Sequence, residues 1–191
     1  MSAQDRQRWD RKYSGGTVDT HLVAPDEWLI SAVAGLSPGR ALEIACGRGH
    51  NTVWLASQGW QVDAIDVSPQ GLRLARALAN HNDVTPRWIV ADVDRFVPLP
   101  AIYDVVVVFR FLDRQRLPEL VTRALAPGGH LVYETFGPGQ CEREDNHLRN
   151  PSFVLAPGEL EQLFSGLEIL ASEDAVLADR NVGRLHARRP D

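Results

Sequence analysis

The sequence predicts an α/β fold: a seven-stranded, mostly parallel sheet with helices on both faces and the last strand antiparallel. Two observations carry this. From residue 26 to residue 136, apolar runs of strand length alternate with segments of helical period, the pattern of a parallel sheet covered by helices. The final two apolar runs are separated only by "LADRN", too short for a parallel crossover, so the last strand must return antiparallel. With 191 residues, 44% hydrophobic and 24% charged, the chain can bury one substantial core. We expect a single domain over 1–191, with a helical cap over 1–38, a core over 39–136, and a loop with closing strands over 137–191.

The elements follow in order. "DEWLISAVAGL" (26–36) has helical spacing and stops at Ser37, Pro38 and Gly39. "ALEIAC" (41–46) is a first strand, and "HNTVWLASQG" a first helix behind a glycine turn. "WQVDAID" (60–66) is the second strand, and Ser68 caps the helix "SPQGLRLARALAN" with Pro69 at its first helical position. "RWIVAD" (87–92), "YDVVVVF" (103–109) and "HLVYETF" (130–136) are three more strands, the last preceded by the helix "RQRLPELVTRALAPGG". Residues 137–158 are polar, bear prolines and have no period, so they read as a long loop, and long loops in compact domains tend to be functional. A short helix "GELEQLFSG" and the strands "LEILASEDAV" and "VGRLHARR" close the chain.

Composition excludes several classes. No window approaches the roughly 18 uninterrupted apolar residues of a membrane span, and "MSAQDRQRWDRKY" lacks the apolar core of a signal peptide. A cytoplasmic protein with no membrane partner is expected. Cys46 and Cys141 match no metal or disulfide spacing, so free thiols and no metal are expected. A net charge of −5 argues against a nucleic-acid partner, although "RLHARRP" is locally basic.

The stretch that carries chemistry is "EIACGRGHNT" (43–52). Gly47 and Gly49 let the chain turn sharply and bring bare backbone against a ligand, yet Thr52 stands where a dinucleotide fingerprint has its third glycine. Asp66 ends the second strand 19 residues after Gly47, where a carboxylate can accept from both hydroxyls of a ribose. That spacing fits a nicotinamide dinucleotide or another adenosine-bearing cofactor.

The succession "ALEIACGRGHNT", "VDAIDVS", "IVADV", "YDVVVVF" and "ALAPGGHLVYETF" resembles the class I S-adenosylmethionine-dependent methyltransferases, over essentially the whole chain. The resemblance implies a Rossmann-like sheet whose 39–136 core binds S-adenosyl-L-methionine and whose 137–191 part lies on the acceptor side. It implies that Glu43 helps fix the glycine turn and that the backbone of Gly47 and Gly49 faces the methionine part of the cofactor. Asp66, followed by Val67, would hold the ribose, and Asp92 would accept from the adenine amino group while the Val93 amide meets the ring. Phe109, ending the fourth strand, joins this set. "WDRKY" is similar to the family's W-D-x-R/K-Y segment, which implies that Trp9 and Tyr13 fold over the methionine end; the two could equally be core aromatics one helical turn apart.

Neither a catalytic residue nor a general base is evident: His21 and Asp113 are candidates, but such residues more often cap or pack. Methyltransferases of nucleobase or glutamine amino groups typically show N/D-P-P-Y/F after the fourth strand, whereas this chain reads "VVFRFLDR". Arg110 there is a fixed cation suited to an anionic acceptor, with a salt bridge to Asp113 or Glu134 as the equal alternative. "LRNPSFVLAPGEL" resembles the N-P-x-F-x-L-x-x-G-E-L pattern of small tellurite-resistance methyltransferases, which implies a small-molecule acceptor, a chalcogen oxyanion or soft nucleophile, with Arg143 and Arg149 as further candidates to hold it. The competing readings are a nicotinamide-dependent oxidoreductase, disfavoured by Thr52 and Glu43, and a catalytically silent cofactor-binding protein. Oligomeric state is not written in the sequence.

Overall fold

A computed structural model describes residues 3–15, 25–146 and 148–191. Seven strands follow the order β3-β2-β1-β4-β5-β7-β6, and the chain divides into two compact units, Met1–Pro98 and Leu99–Asp191.

The first unit holds α1 (Ala3–Ser14), α2 (Glu27–Val33), β1 (Arg40–Ile44), α3 (His50–Ser57), β2 (Gln61–Asp66), α4 (Pro69–His81) and β3 (Arg87–Val90). β1 pairs parallel with β2, and β2 with β3. Alternation gives way to continuous burial over Ala41–Ile44 and Val62–Asp66, as strands covered on both faces require. The α4 start is as expected: Ser68 Oγ accepts from Gly71 N at 3.1 Å and Pro69 follows it. Val53, Leu78 and Ala79 form one apolar cluster, and Cys46, Ala64 and Leu72 another; Trp88 of β3 packs against both.

The second unit holds β4 (Tyr103–Phe109), α5 (Arg116–Ala124), β5 (Leu125–Phe136), α6 (Glu159–Leu163), β6 (Glu168–Val176) and β7 (Asn181–Arg188), with 3₁₀ turns at Gln140–Glu142 and Pro151–Phe153. β4 and β5 are parallel; β7 is antiparallel to both β5 and β6. The last strand thus runs as its short connector dictates. The α5–β5 boundary differs from the expected one: α5 stops at Ala124, and "LAPGG" belongs to β5 rather than to the helix. Pro127 disfavours helical backbone at Ala126 and Gly128 takes φ +72°, so the chain bulges before it pairs regularly from Val105 and His130. β6 is an edge strand, exposed along nearly all of its length.

Candidate functional site

The glycine turn is pinned by a carboxylate, and that carboxylate is Asp66. Its Oδ2 accepts from Gly47 N at 2.8 Å and its Oδ1 from Ser68 N at 2.8 Å, so the end of β2 fixes both the turn behind β1 and the start of α4. A carboxylate has about four acceptor positions, so the backbone amides of Gly47, Ser68 and Val67 leave it acceptor capacity. Asp66 is only 6% exposed. Burial holds its carboxyl above the ordinary carboxylate value, against the lowering effect of the Ser68 and Gly47 amides.

Glu43 does something the glycine motif did not announce. It is buried, and its Oε2 accepts from the hydroxyl of Thr52. The threonine that interrupts the dinucleotide fingerprint is therefore what fastens α3 to β1. Gly49 needs its missing side chain: at φ +77°, a Cβ would stand 2.7 Å from Trp88 Cη2 and 2.8 Å from Ala75 Cβ. Cys46, between these acids, has its thiol pushed up by burial first and then by Glu43 and Asp66, and both cysteines are free. Val67 and Val93 are buried, and Asp92 Oδ1 accepts from Asp94 N at 3.0 Å in a turn after β3.

Above the turn lies α1. Trp9 and Tyr13 stack at 5.8 Å between centroids, with the Lys12 ammonium 4.5 Å from the Trp9 ring. A Cβ on Gly47 would lie 2.9 Å from Tyr13 Oη, and one on Gly71 would lie 3.1 Å from the Tyr13 ring. Asp10, which the sequence reading passed over, accepts from Ser68 Oγ at 2.5 Å and from Gln70 N at 3.3 Å. The only sequence signal for it was its place inside "WDRKY". His21 lies outside the described residues.

In the second unit, Phe109 is buried at the end of β4, and Arg110 follows it, exposed and at φ +53°. Left-handed backbone at a non-glycine residue is uncommon and concentrates at functional positions. Glu134 faces Arg184 at 2.8 Å and Arg180 at 3.7 Å, and Asp113 caps α5 by accepting from Gln115 N and Arg116 N.

Arg143 departs from its expected place in an acceptor pocket. Its guanidinium donates to both oxygens of Asp145, to Asn181 Oδ1 and to the carbonyls of Leu177 and Ala178, which uses all five N–H donors. Arg149 donates to the Cys141 and Arg143 carbonyls. Arg149 ties the long loop to itself, and Arg143 ties it to the β6–β7 turn. The "NPSFVLAPGEL" stretch also has local reasons for its residues. Asn150 caps the 3₁₀ turn, Gly158 takes φ +69°, Leu155 and Leu160 are buried, and Glu159 binds Ala156 N and Arg114. Arg114 also reaches the Ser152 and Val154 carbonyls. Among the described residues, no group of three or more His, Cys, Asp or Glu could hold a metal, and no helix is long and apolar enough to cross a membrane.

Residues 41–129 match a family model described as a methyltransferase domain. Hemagglutinin 1 of Eikenella corrodens is 30% identical over 179 residues, 90% of this chain and 54% of that protein; the chain spans about half the length of this curated relative. The N-methyltransferase NodS of Bradyrhizobium japonicum WM9, solved in complex with S-adenosyl-L-homocysteine, superposes with a TM-score of 0.74 at 20% identity, covering 97% of this chain and 98% of NodS. TehB from Haemophilus influenzae gives a TM-score of 0.70 at 17% identity, covering 96% of this chain and 66% of TehB. Residues 41–129, which hold the glycine turn and the strand-end carboxylate of Asp66, are thus similar to a methyltransferase domain, and the fold of the chain is that of these solved methyltransferases.

Proposed function

We propose that the protein is an S-adenosylmethionine-dependent methyltransferase acting on a small-molecule acceptor. The observation that carries this reading is the Asp66 carboxylate, buried at the carboxyl end of β2, bonded to the glycine turn and still holding acceptor capacity. Ligands of open parallel sheets bind at such strand ends. These residues fit the cofactor. Asp66 would take the ribose hydroxyls, Asp92 the adenine amino group, the Val93 amide the ring, and the backbone of Gly47 and Gly49 the amino-acid end, with Val67 and Phe109 as apolar walls and Tyr13 and Trp9 above the turn. When bound, S-adenosylmethionine supplies an electrophilic methyl group. The chain's task is then to orient an acceptor lone pair and to exclude water, and such positioning is worth about 7–11 kcal/mol of barrier.

For the acceptor we propose a chalcogen oxyanion or a soft nucleophile. The support is the exposed Arg110 cation on left-handed backbone after β4, the "LRNPSFVLAPGEL" pattern, and the fold likeness to TehB. Arg143 and Arg149, bonded within their loop, add nothing to this reading. A thiolate or oxyanion asks for no base, in keeping with Asp113 being a helix cap.

Two measurements test the proposal. S-adenosylhomocysteine at about 100 times its dissociation constant should add about 2.7 kcal/mol of stability, whereas nicotinamide dinucleotides should leave the melting temperature unchanged; the reverse would favour an oxidoreductase. Arg110→Leu should keep S-adenosylhomocysteine affinity within twofold and lose methyl transfer to a panel of tellurite, selenite and small thiols. Full turnover in that variant would remove the anion-orienting role.

A further inference from the structure

Four groups form one continuous chain of hydrogen bonds in the first unit. Asp10 Oδ1 accepts from Ser68 Oγ at 2.5 Å, Ser68 N donates to Asp66 Oδ1 at 2.8 Å, and Asp66 Oδ2 accepts from Gly47 N at 2.8 Å. Ser68 sits at the junction, fully buried, and its hydroxyl also accepts from Gly71 N. One end of the chain is α1, and the other is the glycine turn. Tyr13, three residues after Asp10, lies on the same side of α1, close enough to Gly47 that a Cβ there would meet its hydroxyl at 2.9 Å.

Helix α1 is twelve residues long, strongly polar, and its only large apolar side chains are Trp9 and Tyr13. A helix this short is marginal alone in water and owes its place to its contacts. Asp10 supplies charged ones, because an acid at the N-terminus of α4 accepts from the Gln70 amide and faces the positive end of that helix.

We propose that Asp10 is a positioning residue: it latches α1 to the N-terminus of α4 so that Tyr13 covers the glycine turn. The inference rests on the cofactor reading given above. It makes the amino-acid end of the cofactor, on the turn, sensitive to the latch, and leaves the adenosine end, on Asp66 and Asp92, largely indifferent to it.

The test compares S-adenosylhomocysteine with adenosine by calorimetry, together with hydrogen exchange of residues 3–15. Asp10→Ala should weaken S-adenosylhomocysteine binding tenfold or more, change adenosine binding less than twofold, and speed exchange in α1. Asp10→Asn keeps an acceptor for the Ser68 hydroxyl and should restore most of the affinity. Tyr13→Leu should show the same ligand split, and the double variant Asp10→Ala, Tyr13→Leu should lose no more than the larger single loss, as residues acting as one unit do. Equal loss of both ligands would mean that Asp10 acts on α4 and Asp66 rather than on α1. Unchanged S-adenosylhomocysteine affinity in Asp10→Ala, or additive losses in the double variant, would overturn the latch. Should Asp10→Ala not fold, the Asp10→Asn and Tyr13→Leu measurements decide alone. If the parent protein bound neither ligand, the cofactor reading itself would fall, and the latch with it.

Discussion

Asp66 is held in tension between two demands. Burial favours its neutral form, while the amides of Gly47 and Ser68 favour the anion, and burial prevails. Because its native pKa is raised, the folded state binds the proton more tightly than the unfolded chain. Its contribution to stability is complete below the ordinary value of 3.8 and is lost as pH rises through the raised native value. Ribose hydroxyls need the anion as acceptor, so ligand affinity should move the opposite way and weaken as pH falls through the same window. Calorimetric titration of S-adenosylhomocysteine across that range checks this: proton release on binding is expected, and proton uptake would contradict it. Asp66→Ala should weaken the ligand by about 2 kcal/mol or more, since two hydroxyls lose their acceptor. The strand-end position of Asp66 was legible from its spacing to Gly47. Its hold on the turn was not, because "EIACGRG" offers Glu43 for that task, and the bond from the Thr52 hydroxyl to Glu43 emerges only once α3 is packed.

At the scale of elements, Arg114 ties down the segment before α6, binding Glu159 and the carbonyls of Ser152 and Val154. Arg114 holds the Glu159 carboxyl below its ordinary value. This contribution is therefore present above 4.5 and disappears as pH falls through the lowered native value. Partial exposure of Arg114 screens the pair, so Arg114→Ala should cost about 1 kcal/mol of global stability at neutral pH. Hydrogen exchange over residues 150–159 should rise far more than in β5, and uniform protection would show that the 3₁₀ turn and Leu155 hold the segment unaided. Elements with local punctuation were legible: Ser68 and Pro69 announced α4. The α5 to β5 boundary was not, since "ALAPGG" continues a helical apolar period, and only pairing with β4 draws Leu125 into a strand. The same holds for Asp10, whose partner Ser68 lies 58 residues away in sequence.

For the whole molecule, the seven strands and the antiparallel return were legible because both follow from connector length and apolar alternation. The unit boundary near residue 98 was not, since Pro98 and Pro100 read as one more loop. The edge strand β6 matters for how copies of the protein behave in a crowd. An open edge invites another strand to pair with it, and nature discourages this with charge and bulges. β6 carries Glu168, Glu173 and Asp174, and its register with β7 breaks between Ile169 and Ala171. Beside those acids, Ile169, Leu170 and Val176 are exposed apolar side chains that would adhere if the charges were gone. Burial and Glu161 hold Asp174 above the ordinary carboxylate value, so its charge is lost earlier on acidification than that of an ordinary aspartate. Asp174→Val should accordingly scatter more light than the parent at equal concentration and neutral pH, and the parent should approach that behaviour in mild acid. If the two scattered alike across pH, the repelling would fall to the bulge and Glu173, and the upper limit on how concentrated this protein can be kept would be set by the shape of the edge rather than by its charge.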